Sequence, residues 1–503
     1  MPRNPAHEPP ADPLISGRLF GALLILAAGA VYALLLAAVV VVGVRAAAWM
    51  LDTVPQGPLG ARHSASGAHT ERTTLQSAKS TLPFKDYILN AADMVASVVL
   101  LPDPPVPGNQ RKDLVPAALS KASAFQVRQI DAATPFEYSA APECGGNRGG
   151  ALLVHGLTDT PFLMREVAAR LTRAPSCLHV RGLLLPGHGT RPGDLLDVEW
   201  GHWRDAVAYG ISSFRGTARE LYLVGFSTGG ALALYHALHQ DRLPVLSGKE
   251  VALKGLILLS PAIEVKSMWA PLAALHKIYS WIPIWRNGKW DDLANDLDYA
   301  KYESFAKNAG WQIYLLTREL ENAAGKRQLA VPALVAVGAG DTTIETCGTL
   351  RFFSQRIKAD GSKLILYREP GARDENMKSC SDLIREAGEK VLVREIRGGQ
   401  VLDMAHISVP TSPENPHYGR IGDHAVCVHY DNGHPKKSNA AKYAVCRASA
   451  ASGIPSTSPL NVWYGELTDE NLGKGVLRRL SYNPRFEELA GEIQQFVART
   501  RGR

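Results

Sequence analysis

The segment Gly225-Phe226-Ser227-Thr228-Gly229 follows the apolar run Leu221-Tyr222-Leu223-Val224 and precedes an Ala- and Leu-rich stretch that reaches His239. A serine hydroxyl is a poor nucleophile unless it is held exposed beside a base. A buried strand, a tight turn and a helix provide that posture, and small residues two positions either side of the serine let the two elements pack closely. Ser227 is therefore the candidate nucleophile, and it requires a base, an orienting acid and donors for a developing oxyanion. Asp341 lies on a turn after the apolar run 334–337, through Gly338-Ala339-Gly340, and is the expected acid. Five histidines follow it, at 406, 417, 424, 429 and 434. His406 comes after a strand candidate at 391–396 and a glycine turn and is the expected base, with His417 and His424 as the alternatives. Backbone N–H groups of Leu157, in His155-Gly156-Leu157 at the end of an early strand, and of Thr228 are expected to converge on one oxygen. His155 is expected to hold that loop rather than to transfer protons. This constellation performs acyl transfer and calls for no metal and no organic cofactor.

These groups must be positioned by alternating strands and helices. Strand candidates run over 150–154, 178–185, 220–224, 256–259, 333–337, 364–367 and 391–396, with helical spacing at 161–171, 200–214 and 230–239 between them. Such alternation predicts an α/β fold with a mainly parallel sheet covered on both faces. Asn483-Pro484 opens a last helix, since Asn caps well and Pro fits the first turn. Its stripe Phe486, Leu489, Ile493 and Phe496 is expected to pack on the sheet. The apolar segment at about 263–322 interrupts the alternation and is expected to form a helical cap over the C-terminal edge of the sheet.

Upstream, residues 1–18 form a Pro-rich tail. Residues 19–44 contain no charged residue and are long enough to cross a bilayer, which needs about 20 apolar residues. They are expected to be an uncleaved transmembrane anchor, because a signal peptide's apolar core runs only about 7–15 residues. Residues 45–125 read as a juxtamembrane linker that holds an amphipathic helix at 86–101, which fits on a membrane surface. The catalytic domain is expected over 126–503. The chain has 503 residues, a net charge of +7 and no aromatic-and-basic stripe, which argues against nucleic acid as a partner. Six cysteines with no C-x-x-C pair exclude the usual cysteine zinc and redox motifs and are compatible with three disulfides in an oxidising compartment. Cys427 and Cys446 are the foremost pair. The catalytic domain is accordingly expected outside the cytoplasm, in the periplasm, tethered to the membrane by its N-terminus.

In order along the chain, His155-Gly156-Leu157-Thr158, Leu185-Pro186-Gly187-His188-Gly189, Gly225-Phe226-Ser227-Thr228-Gly229-Gly230 and Asp341 make the sequence similar to bacterial carboxylesterases and monoacylglycerol lipases, in the serine aminopeptidase-like branch of the α/β-hydrolase superfamily. The resemblance covers roughly residues 150–406. It implies an α/β-hydrolase fold, with Ser227 as nucleophile, Asp341 as acid, His406 as base and Leu157 and Thr228 as oxyanion donors. The chain departs from the family pattern in its N-terminal anchor and in the long interval between Asp341 and His406. The expected activity is hydrolysis of carboxylic esters, with lipid-derived substrates such as monoacylglycerols or lysophospholipids. Thioesters and peptides would use the same machinery, and a non-catalytic, membrane-tethered binding or assembly module is the alternative class.

Overall fold

The apolar runs become strands because Gly, Pro or polar turns flank them, and those at the centre of the sheet are buried on both faces. In the computed structural model, residues 27–41, 43, 58–67, 76–77, 80–101, 108–145, 149–247, 250–265, 287–369, 380–396, 399–430, 439–450 and 462–501 are described. In chain order the strands are β1 (Phe136–Tyr138), β2 (Gly149–Val154), β3 (His179–Leu183), β4 (Glu220–Phe226), β5 (Ala252–Leu259), β6 (Trp290–Asp292), β7 (Phe305–Ala306), β8 (Ala333–Gly338), β9 (Lys363–Arg368), β10 (Val391–Glu395), β11 (Val462–Gly465) and β12 (Val476–Arg479). Eight of them form one sheet in the order β1-β3-β2-β4-β5-β8-β9-β10. Only the edge pair β1–β3 in this sheet is antiparallel. β6 with β7 and β11 with β12 make two small ribbons. This is an α/β-hydrolase fold with a mostly parallel sheet.

Two apolar layers sandwich the sheet. One face carries the helices Trp200–Ser212 and Thr228–Leu238, with Trp203, Tyr209 and Leu232 in the core. On the other face the helix Phe486–Arg501 seats Phe486, Leu489, Ile493 and Phe496, the stripe expected from sequence, against Tyr222, Ile257 and Leu334.

Two segments differ from expectation. The helix expected at 86–101 is Phe84–Leu100, and its apolar side is not free for a membrane. Phe84, Tyr87 and Ala91 enter the main core, Met94 and Val95 pack on Leu184, and Leu184 N–H donates to the Tyr87 hydroxyl at 3.1 Å. The compact unit accordingly spans Pro55–Arg503 rather than beginning at 126, and residues 1–54 form a separate unit. The second segment is the cap. The apolar cluster at Trp269, Leu272, Leu275, Ile278, Trp281, Ile282, Ile284 and Trp285 lies outside the described residues. Downstream of it come the ribbon β6–β7 and the helix Lys307–Lys326, which runs past the expected boundary at 322. Ile313, Leu316, Leu320 and Ala323 of that helix are buried in the main core.

Of the apolar run 19–44, residues 27–41 and 43 are described as helical and exposed, and the remainder lies outside the described residues. Among the described residues no helix is long and apolar enough to cross a membrane.

Candidate active site

β4 delivers Ser227 to the C-terminal edge of the sheet, and the helix Thr228–Leu238 leaves at once. Ser227 has φ +52°, a region that side-chain-bearing residues rarely adopt. Such strain persists only where surroundings fix it. Here Ser227 N–H donates to Leu259 O at 2.9 Å, while Ser227 O accepts from Ala262 N–H at 3.0 Å. The flanking glycines are required by contact. A Cβ on Gly225 would lie 2.3 Å from the Gly229 carbonyl carbon, and one on Gly229 would lie 2.0 Å from Val154 O.

The structure brings Ser227, His406 and Asp341 together. His406 Nε2 lies 2.9 Å from Ser227 Oγ, and His406 Nδ1 lies 2.6 Å from Asp341 Oδ2. All three are buried, with Asp341 fully enclosed. The other oxygen of Asp341, Oδ1, accepts from the backbone N–H groups of Thr343 at 2.8 Å and Ile344 at 3.1 Å, so its orientation is fixed by its own turn. Asp341 follows β8 as expected, and Gly338 allows the 403–404 loop to lie across that turn: a Cβ there would meet Met404 O at 2.7 Å. His406 opens a short 3-10 turn, His406–Ser408. An Nδ1–H donated to Asp341 leaves Nε2 with its lone pair toward the serine hydroxyl, the tautomer proton abstraction requires.

The N–H groups of Leu157 and Thr228 have no hydrogen-bond partner among the described residues, and donors in that state suit an incoming oxyanion. His155 is a loop holder: its Nδ1 donates to Gly156 O at 2.8 Å and its Nε2 accepts from Leu185 N–H at 3.0 Å. His188 lies beside it, with ring centroids 5.0 Å apart.

His417 and His424, the alternatives for the base, are not at Ser227. They sit with Asp298 in a separate buried cluster, His417 Nε2 lying 2.9 Å from Asp298 Oδ1.

One site residue escaped the sequence reading. Glu466, at the end of β11, is fully buried and accepts the His406 backbone N–H on Oε2 at 2.8 Å. Arg479 of β12 binds both of its oxygens, at 2.8 and 3.0 Å. Burial pushes the Glu466 carboxyl up, but the Arg479 guanidinium and the backbone donors outweigh it and hold the group down at about 2. Asp403, against the same loop, accepts Glu466 N–H and is pushed up to about 6 by burial. A glutamate in a polar turn carries no sequence signal of this role.

The six cysteines pair as Cys144–Cys177, Cys347–Cys380 and Cys427–Cys446.

Residues 151–373 match the profile of the Alpha/beta hydrolase family. A thermostable monoacylglycerol lipase of Bacillus sp. (strain H-257) is 26% identical over 222 residues, covering 44% of this chain and 80% of that enzyme. Among solved structures, a metagenome-derived lipolytic enzyme described under LipS and LipT aligns at 19% identity and TM-score 0.37, covering 47% of this chain and 87% of its own. The monoacylglycerol lipase of Paleococcus ferrophilus aligns at 18% identity and TM-score 0.34, covering 46% and 88%.

Proposed function

We propose that this chain, whose residues 151–373 match the α/β-hydrolase family and resemble a monoacylglycerol lipase, is a serine hydrolase that cleaves carboxylic esters through Ser227, His406 and Asp341. The observation that carries the reading is the unbroken relay from Asp341 Oδ2 to His406 to Ser227 Oγ, at 2.6 and 2.9 Å. Ser227 Oγ attacks the acyl carbonyl while His406 Nε2 takes its proton. Asp341 stabilises the resulting imidazolium without itself being protonated. Leu157 and Thr228 N–H groups hold the tetrahedral oxyanion. The imidazolium then protonates the leaving alcohol, an acyl-enzyme remains, and water attacks it by the same path to release the acid and restore Ser227.

The substrate class follows the relative whose name states it: a monoacylglycerol or a similar single-chain lipid ester. The apolar residues at 269–285 would supply a surface for an acyl chain. The run 19–44 would anchor the chain in a membrane with the enzyme domain outside the cytoplasm. Three disulfides support an oxidising compartment.

A fluorophosphonate probe tests the reading. The folded wild-type protein should label, and Ser227→Ala should not. A folded wild-type protein that fails both to label and to hydrolyse a short p-nitrophenyl ester would instead be a binding or assembly module.

A further inference from the structure

The cluster around Asp298 has no part in the chemistry at Ser227, yet it gathers metal-ligating side chains in the protein interior. Asp298, His417 and His424 are buried, and one ligand atom from each lies within 4.8 Å of the others. His417 Nε2 lies 2.9 Å from Asp298 Oδ1. His424 Nε2 lies 3.4 Å from Asp298 Oδ2 and 3.8 Å from Glu303 Oε1. Neither of those two contacts is a good hydrogen bond. His424 is only 2% exposed, and its Nε2 has no hydrogen-bond partner among the described residues. A buried ring nitrogen aimed at two carboxylates without bonding either is expensive to leave so.

Four nitrogen or oxygen ligands arranged tetrahedrally about 2.0–2.2 Å from Zn2+ sit about 3.3–3.6 Å from one another. The His424–Asp298 contact at 3.4 Å has that spacing, and the Glu303 contact at 3.8 Å is a little beyond it. His417 Nε2 and Asp298 Oδ1, now hydrogen-bonded at 2.9 Å, would separate by about half an ångström on exchanging their shared proton for the cation. We propose that Asp298, His417 and His424 hold a divalent cation of the Zn2+ type in a buried structural site, and that Glu303, which lies outside this three-residue group but 3.8 Å from His424 Nε2, moves in to close the fourth position. Two imidazoles with two carboxylates suit zinc, and the imidazoles disfavour Mg2+ and Ca2+. Full enclosure by protein ligands marks a structural site rather than a catalytic one.

The surroundings fit a metal-bound imidazole. His417 Nδ1 lies 2.6 Å from Asp423 Oδ1, the carboxylate–histidine arrangement that orients metal ligands. Asp298 Oδ2 accepts from the Tyr418 hydroxyl at 2.6 Å, which fixes the carboxylate plane. The His424 backbone N–H donates to His417 O at 3.1 Å, so the chain turns back and both rings face one side, with centroids 4.8 Å apart. Arg447 Nη1 lies 3.1 Å from His424 Nδ1 and 3.2 Å from Ala425 O. With a cation on Nε2 the ring proton moves to Nδ1, and the guanidinium turns to the Ala425 carbonyl. Loading displaces the protons on the ligating nitrogens to solvent, so uptake weakens as pH falls.

The site would link two segments that position the reactive groups. His417 and His424 lie on the loop that follows His406. Asp298 and Glu303 flank a stretch bonded to the loop after Leu157: Tyr302 N–H donates to Thr158 O and Thr160 Oγ1 to Ala300 O, each at 2.9 Å. Lys301 Nζ binds Asp159 Oδ1 at 2.8 Å.

The test is zinc uptake by the full-length protein in detergent, stripped with EDTA and titrated with Zn2+ against a chromophoric chelator. Wild type should bind about one equivalent per chain. Its unfolding temperature should drop on stripping and return with Zn2+ but not Mg2+. Ser227→Ala should behave as wild type in both assays, which separates this site from the esterase reading. His424→Ala and Glu303→Gln should lose the tight equivalent, and Asp423→Asn should weaken it by about 10–100-fold. A wild-type protein that takes up less than about a tenth of an equivalent, with the same unfolding temperature with and without Zn2+, overturns the proposal. So does a His424→Ala variant that binds zinc as tightly as wild type. If that variant does not fold, the stripping experiment on wild type decides alone.

Discussion

Glu466 holds the histidine from behind, and replacing it with glutamine tests whether that hold matters for turnover. Oε1 accepts from Leu467 N–H at 2.8 Å and from Arg479 Nε at 2.8 Å, while Oε2 accepts from His406 N–H and Arg479 Nη2. Glutamine must replace one oxygen with an NH2 group, so two donors would face a donor whichever way the amide turns. Breaking a buried ion pair costs about 3–5 kcal/mol, and the lower end applies because the Arg479 side chain is 16% exposed and also reaches Thr343 Oγ1 at 3.2 Å. The hydrogen bond to the His406 backbone is charge-assisted, worth about 1.5–3 kcal/mol. If that energy positions the imidazole in the transition state, its loss lowers kcat about 10–100-fold, at about 1.4 kcal/mol per tenfold. KM should hardly move, because Glu466 lies behind His406 and away from the serine. The assay is kcat and KM on a short p-nitrophenyl ester, well below the unfolding temperature of the variant. A folded Glu466→Gln protein with kcat within about twofold of wild type would refute the argument, since Asp341 alone would then hold the ring. Stability supplies a second readout. The Glu466 carboxyl is depressed to about 2 from 4.5, so its contribution is fully present above pH 4.5 and is lost as pH falls toward 2. Wild type should lose stability more steeply than Glu466→Gln across that window.

His406→Ala should reduce ester turnover by several orders of magnitude, whereas Asp341→Asn should retain the geometry but favour the wrong tautomer and lose about 10⁴-fold; activity assays on protein with wild-type circular dichroism check both. Gly229→Ala drives a methyl group to 2.0 Å from Val154 O, where only backbone can yield, so it should destabilise by about 3 kcal/mol or more and abolish probe labelling at Ser227. Replacing Cys347 and Cys380 together by Ser opens a 33-residue loop and should cost about 3–4 kcal/mol in denaturant unfolding. Deleting residues 1–54 should move the protein from the membrane fraction to the soluble fraction with turnover of a short ester retained, because the compact unit begins at Pro55; persistent membrane association would point to a second lipid contact.

The sheet and its elbow were legible because they depend on local signals. The runs before Ser227 and Asp341 are apolar on both faces and end in glycine turns, so strand, turn and candidate side chain appear together in a few residues. β1 was missed because a three-residue antiparallel edge has no period to detect. β11 and β12 were missed for separate reasons. β12 contains Arg478, which is 1% exposed, and Arg479, which pairs with Glu466, so it reads as polar surface, whereas β11 is apolar but only four residues long. The helix Phe84–Leu100 was found but its partner was not. An amphipathic stripe states that one face is covered, not whether lipid or protein covers it. Here Leu184 and Tyr209 cover it, and both are remote in sequence.

The long chain after His406 has a physical reason. His406 sits on a single 3-10 turn reached from a loop, so neither a helix nor a strand holds its backbone. Residues that come later compensate from two directions. Behind the ring, Gln400 and Leu402 bond to Tyr464 in β11, and the end of β11 presents Glu466 to the His406 N–H. In front, the loop 411–424 is pinned by Asn415, whose Oδ1 accepts from both His417 and Tyr418 N–H, and by the Asp298 cluster. The two supports are separable by experiment. Glu466→Gln removes the rear support and should lower kcat even when the protein is saturated with Zn2+. Stripping zinc from wild type should loosen only the front, so turnover lost on stripping should return on adding the ion. If stripped wild type and Glu466→Gln both recover with zinc, the rear support has no effect of its own and the extra chain serves the cation cluster alone.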